Sequence, residues 1–227
     1  MDSSVCQFAA QHDRFCALLY LLCNGCPPSD NIWKFTGNNF STILYVFEEV
    51  GHTAEATPLA MNYVVKNGNL DVVKIMREKG FPWTDDTCVE TAFVGAVDIL
   101  EYAHTHGAGG LHKVCAELMG FWGHFGVYTA TQVACFQYAH QHSHCALDVD
   151  FAVQAARDGE LELLTYLYQQ GCTGGAKAPE KAAKYNRVEC LEYLLLQGCP
   201  RSKRICAAAI DYGQGKCLEM AKKYGCV

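Results

Sequence analysis

One short phrase recurs along the whole chain: an amphipathic apolar stretch that stops at a glycine. Two clear copies run from Gly159 to Gly171 and from Asn186 to Gly198. The closing residues are Gly25, Gly51, Gly80, Gly107, Ser143, Gly171, Gly198 and Gly225, spaced 26, 29, 27, 36, 28, 27 and 27 apart. A period near 27 that fills 227 residues predicts a repeat architecture in which each unit stacks only on its neighbours. It therefore predicts one continuous solenoid over 1–227 and no second domain. A stack of this kind has no single deep pocket, but it has a long surface suited to holding a partner.

Position within the phrase gives the local structure. Seven residues before the close stand Leu18, Leu44, Val73, Leu100, Phe136, Leu164, Leu191 and Leu218. Positions eight and four before it are also apolar or small in every copy, as with Ile99 and Ala103, or Leu163 and Leu167. These positions share one face of a 3.6-residue helix. The position six before the close holds Lys74, Glu101, Gln137, Thr165, Glu192 and Glu219, which reads as solvent-facing. The closing glycine suits the left-handed residue that ends a helix.

A second turn residue lies twelve before the close, at Gly68, Gly95, Gly159, Asn186 and Gly213. Small pairs precede it, as in Ala155-Ala156, Ala182-Ala183 and Ala209-Ile210, and mark the tail of a shorter first helix. Each unit thus reads as helix, tight turn, helix, connector. The connector is stiffened by Gly-x-Pro at Pro27, Pro82 and Pro200. The predicted fold class is all-α, an α-solenoid of about eight helix-turn-helix repeats with little or no β structure.

The stretch from Gly80 to Gly107 resembles the short ankyrin-like repeats abundant in giant DNA viruses of amoebae. Gly68-Asn-Leu-Asp-Val-Val-Lys-Ile-Met-Arg-Glu-Lys-Gly80 is similar to the second helix of an ordinary ankyrin repeat, and Thr57-Pro58-Leu59 echoes its Thr-Pro-Leu opening, displaced by about two residues. The likeness covers nearly the full length. It implies a protein-interaction scaffold, and by the same likeness a viral protein acting on host proteins in the host cytoplasm. Ordinary ankyrin repeats are longer and carry a projecting hairpin finger, for which a 27-residue unit has no room. Many viral relatives place an F-box ahead of their repeats. None is visible here, so a role as substrate adaptor for a ubiquitin ligase rests on analogy alone.

Half of the residues are apolar and the net charge is −6, which disfavours general nucleic-acid binding. No apolar run reaches eighteen residues, and the first residues have neither a basic nor an apolar leader region, so neither a membrane span nor a secretory signal is expected. Eleven of the fourteen cysteines keep repeat phase. Cys88, Cys115 and Cys206 lie eight after a close, and Cys6 keeps that phase. Cys26, Cys172, Cys199 and Cys226 directly follow a close, and Cys135, Cys190 and Cys217 lie eight before one. Cysteine in this pattern behaves as a small buried hydrophobe, so reduced thiols and an intracellular setting are expected.

Candidate chemistry is sparse. Histidines gather at 104, 106, 112, 124, 140, 142 and 144, yet His104 and His140 share a repeat position, as do His106 and His142. That phasing favours packing near helix C-termini over ligation. Cys23-x-x-Cys26 lacks a second pair at zinc-site spacing. No metal or cofactor is expected. No nucleophile elbow, phosphate-binding glycine loop or His-Glu-x-x-His motif occurs, which points away from an enzyme. The interval from Gly107 to Ser143 is about nine residues too long, with the excess around Gly120-Phe-Trp-Gly-His-Phe-Gly126. An irregular insertion over about 108–130 is expected there, on the side where solenoid insertions often bind. Candidate partner contacts are Phe121, Trp122 and Phe125, with Trp33 and Trp83 as further aromatic anchors. The partner is an unidentified protein. The alternative is a structural, self-assembling component that associates through uncapped apolar ends.

Overall fold

The computed structural model describes residues 3–12, 17, 20–21, 24–26, 58–125, 129–143 and 145–226. The side chains of 122–125 lie outside that description, as does all of Trp33. Among the described residues the protein is all-α, with thirteen helices, a 3-10 turn at Leu111–Lys113 and no strand. It divides into two compact units, 1–111 and 112–227.

Unit 1 contains α1 (Ser3–Gln11), α2 (Pro58–Lys66), α3 (Leu70–Glu78), α4 (Thr87–Val94) and α5 (Val97–Thr105). Helices α2–α3 and α4–α5 form hairpins; α2 packs on α4, and α3 on α5. The core gathers Cys6, Met61, Val65, Val73, Met76 and Phe81.

Unit 2 contains α6 (Val114–Phe125), α7 (Ala130–Ser143), α8 (Val149–Asp158), α9 (Leu161–Gln169), α10 (Lys177–Lys184), α11 (Val188–Leu196), α12 (Lys203–Asp211) and α13 (Gly215–Lys223). These pair as four successive hairpins. The first helices pack in the order α6, α8, α10, α12, and the second helices in the order α7, α9, α11, α13.

The helix ends follow the sequence closely. Gly80, Gly107, Gly171, Gly198 and Gly225 all take positive φ, between 78° and 87°. The next residue's N–H then returns to the carbonyl four before the close: Phe81 to Met76, Ala108 to Ala103, Cys172 to Leu167, Cys199 to Leu194 and Cys226 to Ala221, at 2.8–3.1 Å. This six-residue closure satisfies carbonyls that the helix leaves open. The mid-hairpin turn repeats the same bond, from Ala96 to Thr91, Glu160 to Ala155, Arg187 to Ala182 and Gln214 to Ala209. Entry to the helices is capped where the sequence supplies a suitable side chain. Asn69 Oδ1 accepts from the N–H groups of Asp71 and Val72, and Asp148 and Ser202 cap α8 and α12.

The face predicted to be apolar is the buried one. Val73, Leu100, Phe136, Leu164 and Leu191 are fully buried, as are Met76, Ala103, Ala139, Leu167 and Leu194. Each large member contributes about 1.5–3 kcal/mol by leaving water. Ala155, Ala156, Ala182 and Ala183 are also fully buried, and their small size lets the first helices approach one another. The solvent-facing position is only partly so. Lys74, Glu101 and Glu219 are exposed, whereas Gln137, Thr165 and Glu192 are half-buried.

Part of the 108–130 stretch where an irregular insertion is expected is helical. Val114–Phe125 is a continuous helix of 12 residues, followed by a 14-residue α7. The excess length is taken up by two longer helices. Val114, Cys115, Leu118 and Met119 are buried at i, i+1, i+4 and i+5, a helical stripe that the glycines and aromatics after it obscure. Gly120 costs a helix about 1 kcal/mol relative to alanine, an amount that packing readily offsets.

Candidate functional site

The five aromatic candidates separate. Trp83 lies in unit 1 and is half-buried in its own hairpins. Its Nε1–H donates to the carbonyl of His106 at 3.0 Å, the Arg77 guanidinium lies 4.7 Å from its ring centre, and Tyr102 meets it edge-on at 6.3 Å. Phe121, Trp122 and Phe125 all fall on α6 in unit 2. Phe121 is 39% exposed, which is high for a large apolar side chain on a helix. Trp33 lies outside the described residues.

A second set of exposed side chains was not singled out from sequence. Tyr185 and Tyr212 occupy the same repeat position, thirteen before a close, at the hairpin-turn ends of α10 and α12. They are 44% and 54% exposed. The Lys184 ammonium sits between them, 5.3 Å from the Tyr185 ring centre and 4.4 Å from that of Tyr212. The Tyr212 hydroxyl raises the affinity of Lys184 for its proton. Beside this cluster, Gly159, Asn186, Arg187, Val188, Glu189 and Cys190 line a groove of about 250 Å³. Arg187 lies across Gly159, and its Nε–H donates to the carbonyl of Arg157 at 3.1 Å. The groove is below the usual range for a small-molecule pocket, roughly 300–1,000 Å³. Exposed tyrosines flanked by lysine and arginine match the composition of protein-contact hot spots instead. The signal was present in the repeat phase: an aromatic recurs where other units place smaller residues, such as Asn67, Val94, Ala130 and Asp158.

Two of the histidines pair within their own helical turns, and a third reaches the next hairpin. His106 Nδ1 pairs with the carbonyl of Tyr102 and His142 Nδ1 with that of Tyr138, each at 2.8 Å. Each ring also stacks on that tyrosine, at 3.9 and 4.1 Å. His140 Nδ1 pairs with the Tyr166 hydroxyl at 2.8 Å. Among the described residues no group of three or more His, Cys, Asp or Glu side chains is placed to hold a metal ion.

The thiols are mostly apolar fillers. Burial pushes Cys88 up to about 11 and Cys190 up to about 12. It also raises Cys172, Cys199 and Cys217. A thiol held protonated at neutral pH is a poor nucleophile. One pair departs from this pattern: Cys115 and Cys145 are joined by a disulfide. The sequence pattern put Cys115 in phase but gave no phase to Cys145. The α6–α7 hairpin brings the two together because one opens α6 and the other follows α7.

No helix among the described residues is long and apolar enough to cross a membrane. Neither a family model nor a curated protein matches the chain.

Proposed function

We propose that this protein is a non-enzymatic scaffold for protein–protein interaction, built as an ankyrin-like α-solenoid. The observation that carries this reading is the ordering of unit 2. First helices pack on first helices and second on second, and the hairpin-turn ends stay open to solvent with Tyr185 and Tyr212 on them. A rigid array of this kind binds without much ordering of its own backbone, so a few aromatic and cationic contacts suffice for useful affinity. Tyr185, Tyr212, Lys184 and Arg187 form the proposed contact cluster, and Phe121 with its α6 neighbours Trp122 and Phe125 forms a second.

The test is affinity capture from the native cell followed by reconstitution with the purified partner. Tyr185→Ala/Tyr212→Ala and Phe121→Ala/Trp122→Ala/Phe125→Ala variants run in parallel, with helicity checked for each. The reading predicts a defined partner whose binding weakens at least about tenfold in one folded variant. Retention of every partner by both folded variants contradicts the assignment of these contacts.

The alternative of self-assembly is favoured by one observation. Ile210 on α12 is 61% exposed, although the equivalent Ala156 and Ala183 are fully buried by neighbouring helices. Self-assembly predicts a mass that rises with concentration and falls in Ile210→Lys, whereas a concentration-independent monomer contradicts it.

A further inference from the structure

The residue eight after each close and the residues just after the next close meet repeatedly. In unit 1 the Cys6 thiol hydrogen-bonds to Cys26, and Cys88 Sγ approaches the carbonyl of Ala108 at 3.9 Å. In unit 2 the Cys206 thiol donates to the carbonyl of Cys226, and Cys115 is bonded to Cys145. The approach is therefore a property of the hairpin. The first helix presents its residue at +8 beneath the connector that leaves the second helix. Three units carry cysteine on both sides of this junction, and in one of them the bond is closed.

We propose that the Cys115–Cys145 junction is a reversible dithiol–disulfide site that ties the start of α6 to the chain leaving α7, set by exchange with a small-molecule disulfide of the glutathione class. Its Cα atoms are 6.7 Å apart, within the span a disulfide bridges without moving the backbone. Cys145 is half-buried and Cys115 is 1% exposed, so Cys145 is the entry point. The Cys145 thiolate attacks one sulfur of the oxidant and releases one glutathione thiolate, leaving a mixed disulfide. Cys115 then gives up its proton to solvent, attacks the Cys145 sulfur and expels the second glutathione. Two protein thiols are oxidised to one disulfide while one external disulfide is reduced to two thiols. The closed bond spans 30 residues and encloses the α6–α7 hairpin, including Phe121. It is therefore placed to control the order of that hairpin. The Cys6–Cys26 junction differs because both of its sulfurs are buried, at 0% and 3% exposure, which shields them from an external disulfide. This inference is independent of the partner-binding reading.

The test equilibrates the full-length protein in glutathione buffers of increasing oxidised fraction, quenches with acid, alkylates the remaining thiols and maps the peptides. The expected result is a Cys115–Cys145 linked peptide that appears with a single midpoint, with Cys6 and Cys26 alkylated only after denaturation. Amide exchange across 114–143 is expected to slow roughly tenfold or more on oxidation. In Cys145→Ser, a conservative change at a half-buried site, that slowing is lost. Recovery of Cys115 and Cys145 as thiols across the whole range, linkage of either to a different cysteine, or unchanged exchange on oxidation would each overturn the proposal.

Discussion

The indole N–H of Trp83 donates to the carbonyl of His106, and the His106 ring in turn stacks on Tyr102, whose edge meets Trp83. The tryptophan thus joins the connector after α3 to the C-terminal end of α5. Trp83→Phe keeps an aromatic ring, though a smaller one, and loses the donor, and should lower unfolding free energy by about 1 kcal/mol or slightly more. Trp83→Ala also loses the packing and should cost roughly 2–3 kcal/mol, below the full core cost because the side chain is half-buried. Urea unfolding measures both. Equal stability of all three proteins would mean that the contact carries no weight.

Asn186 is the one non-glycine among the described residues with positive φ, at 57°. Its counterparts at the same repeat position are Gly68, Gly95, Gly159 and Gly213. Asn186→Gly should stabilise unit 2 by about 0.5–1 kcal/mol, and Asn186→Val should destabilise it by about 1–2 kcal/mol. Thermal melts read both directions. A tolerated valine would show that the turn is not held left-handed.

Gly110 is constrained by space as well as by conformation. A Cβ there would lie 2.0 Å from the carbonyl oxygen of Asp85, whereas one on Gly107 would meet nothing within 4 Å. Gly110→Ala should therefore cost roughly 3 kcal/mol or more, and Gly107→Ala about 1–2 kcal/mol from backbone conformation alone. Comparing the two by denaturant unfolding separates steric from conformational cost. Equal losses would contradict the close approach to Asp85.

The raised thiols set a pH dependence. Unfolded, these cysteines ionise near their ordinary value of about 9; folded, Cys88 holds its proton to about 11 and Cys190 to about 12. Between these limits the unfolded chain releases protons that the folded chain keeps, so stability should fall as pH rises from about 9 to 12. Below pH 9 these two groups should contribute no slope. Cys88→Ala/Cys190→Ala should flatten the alkaline limb while lowering stability at every pH. An unchanged slope in that variant would place its origin elsewhere.

The closing glycines, the Gly95, Gly159 and Gly213 turns and the buried Leu100–Ala103 and Leu164–Leu167 faces were legible because helix periodicity and left-handed turns leave residue-level marks. The α6 helix was not, because Gly120, Gly123 and three aromatics mask the stripe at Val114, Cys115, Leu118 and Met119. Burial of Glu192 and Gln137 was also hidden, since it depends on what the neighbouring hairpin places beside them. Tyr185 and Tyr212 carried a phase signal that only the exposed cluster with Lys184 makes meaningful. The Cys115–Cys145 bond could not be read from phase, because Cys145 falls one position beyond the one its counterparts occupy. Trp33 lies outside the described residues.

The central claim is that each hairpin is a unit resting on its neighbours, and removal of one whole period tests it most directly. Deleting residues 172–198 removes α10 and α11 and joins Gly171 to Cys199, which are already in register with Gly198 and Cys199. In the shortened chain α8 would meet α12 and α9 would meet α13, each pair repeating contacts that the intact protein makes. The account predicts a helical protein that still unfolds in one cooperative transition, with helicity reduced by about one hairpin's share. A chain that loses cooperative unfolding or collapses into aggregates would show that residues 112–227 share one indivisible core, contradicting the repeat account.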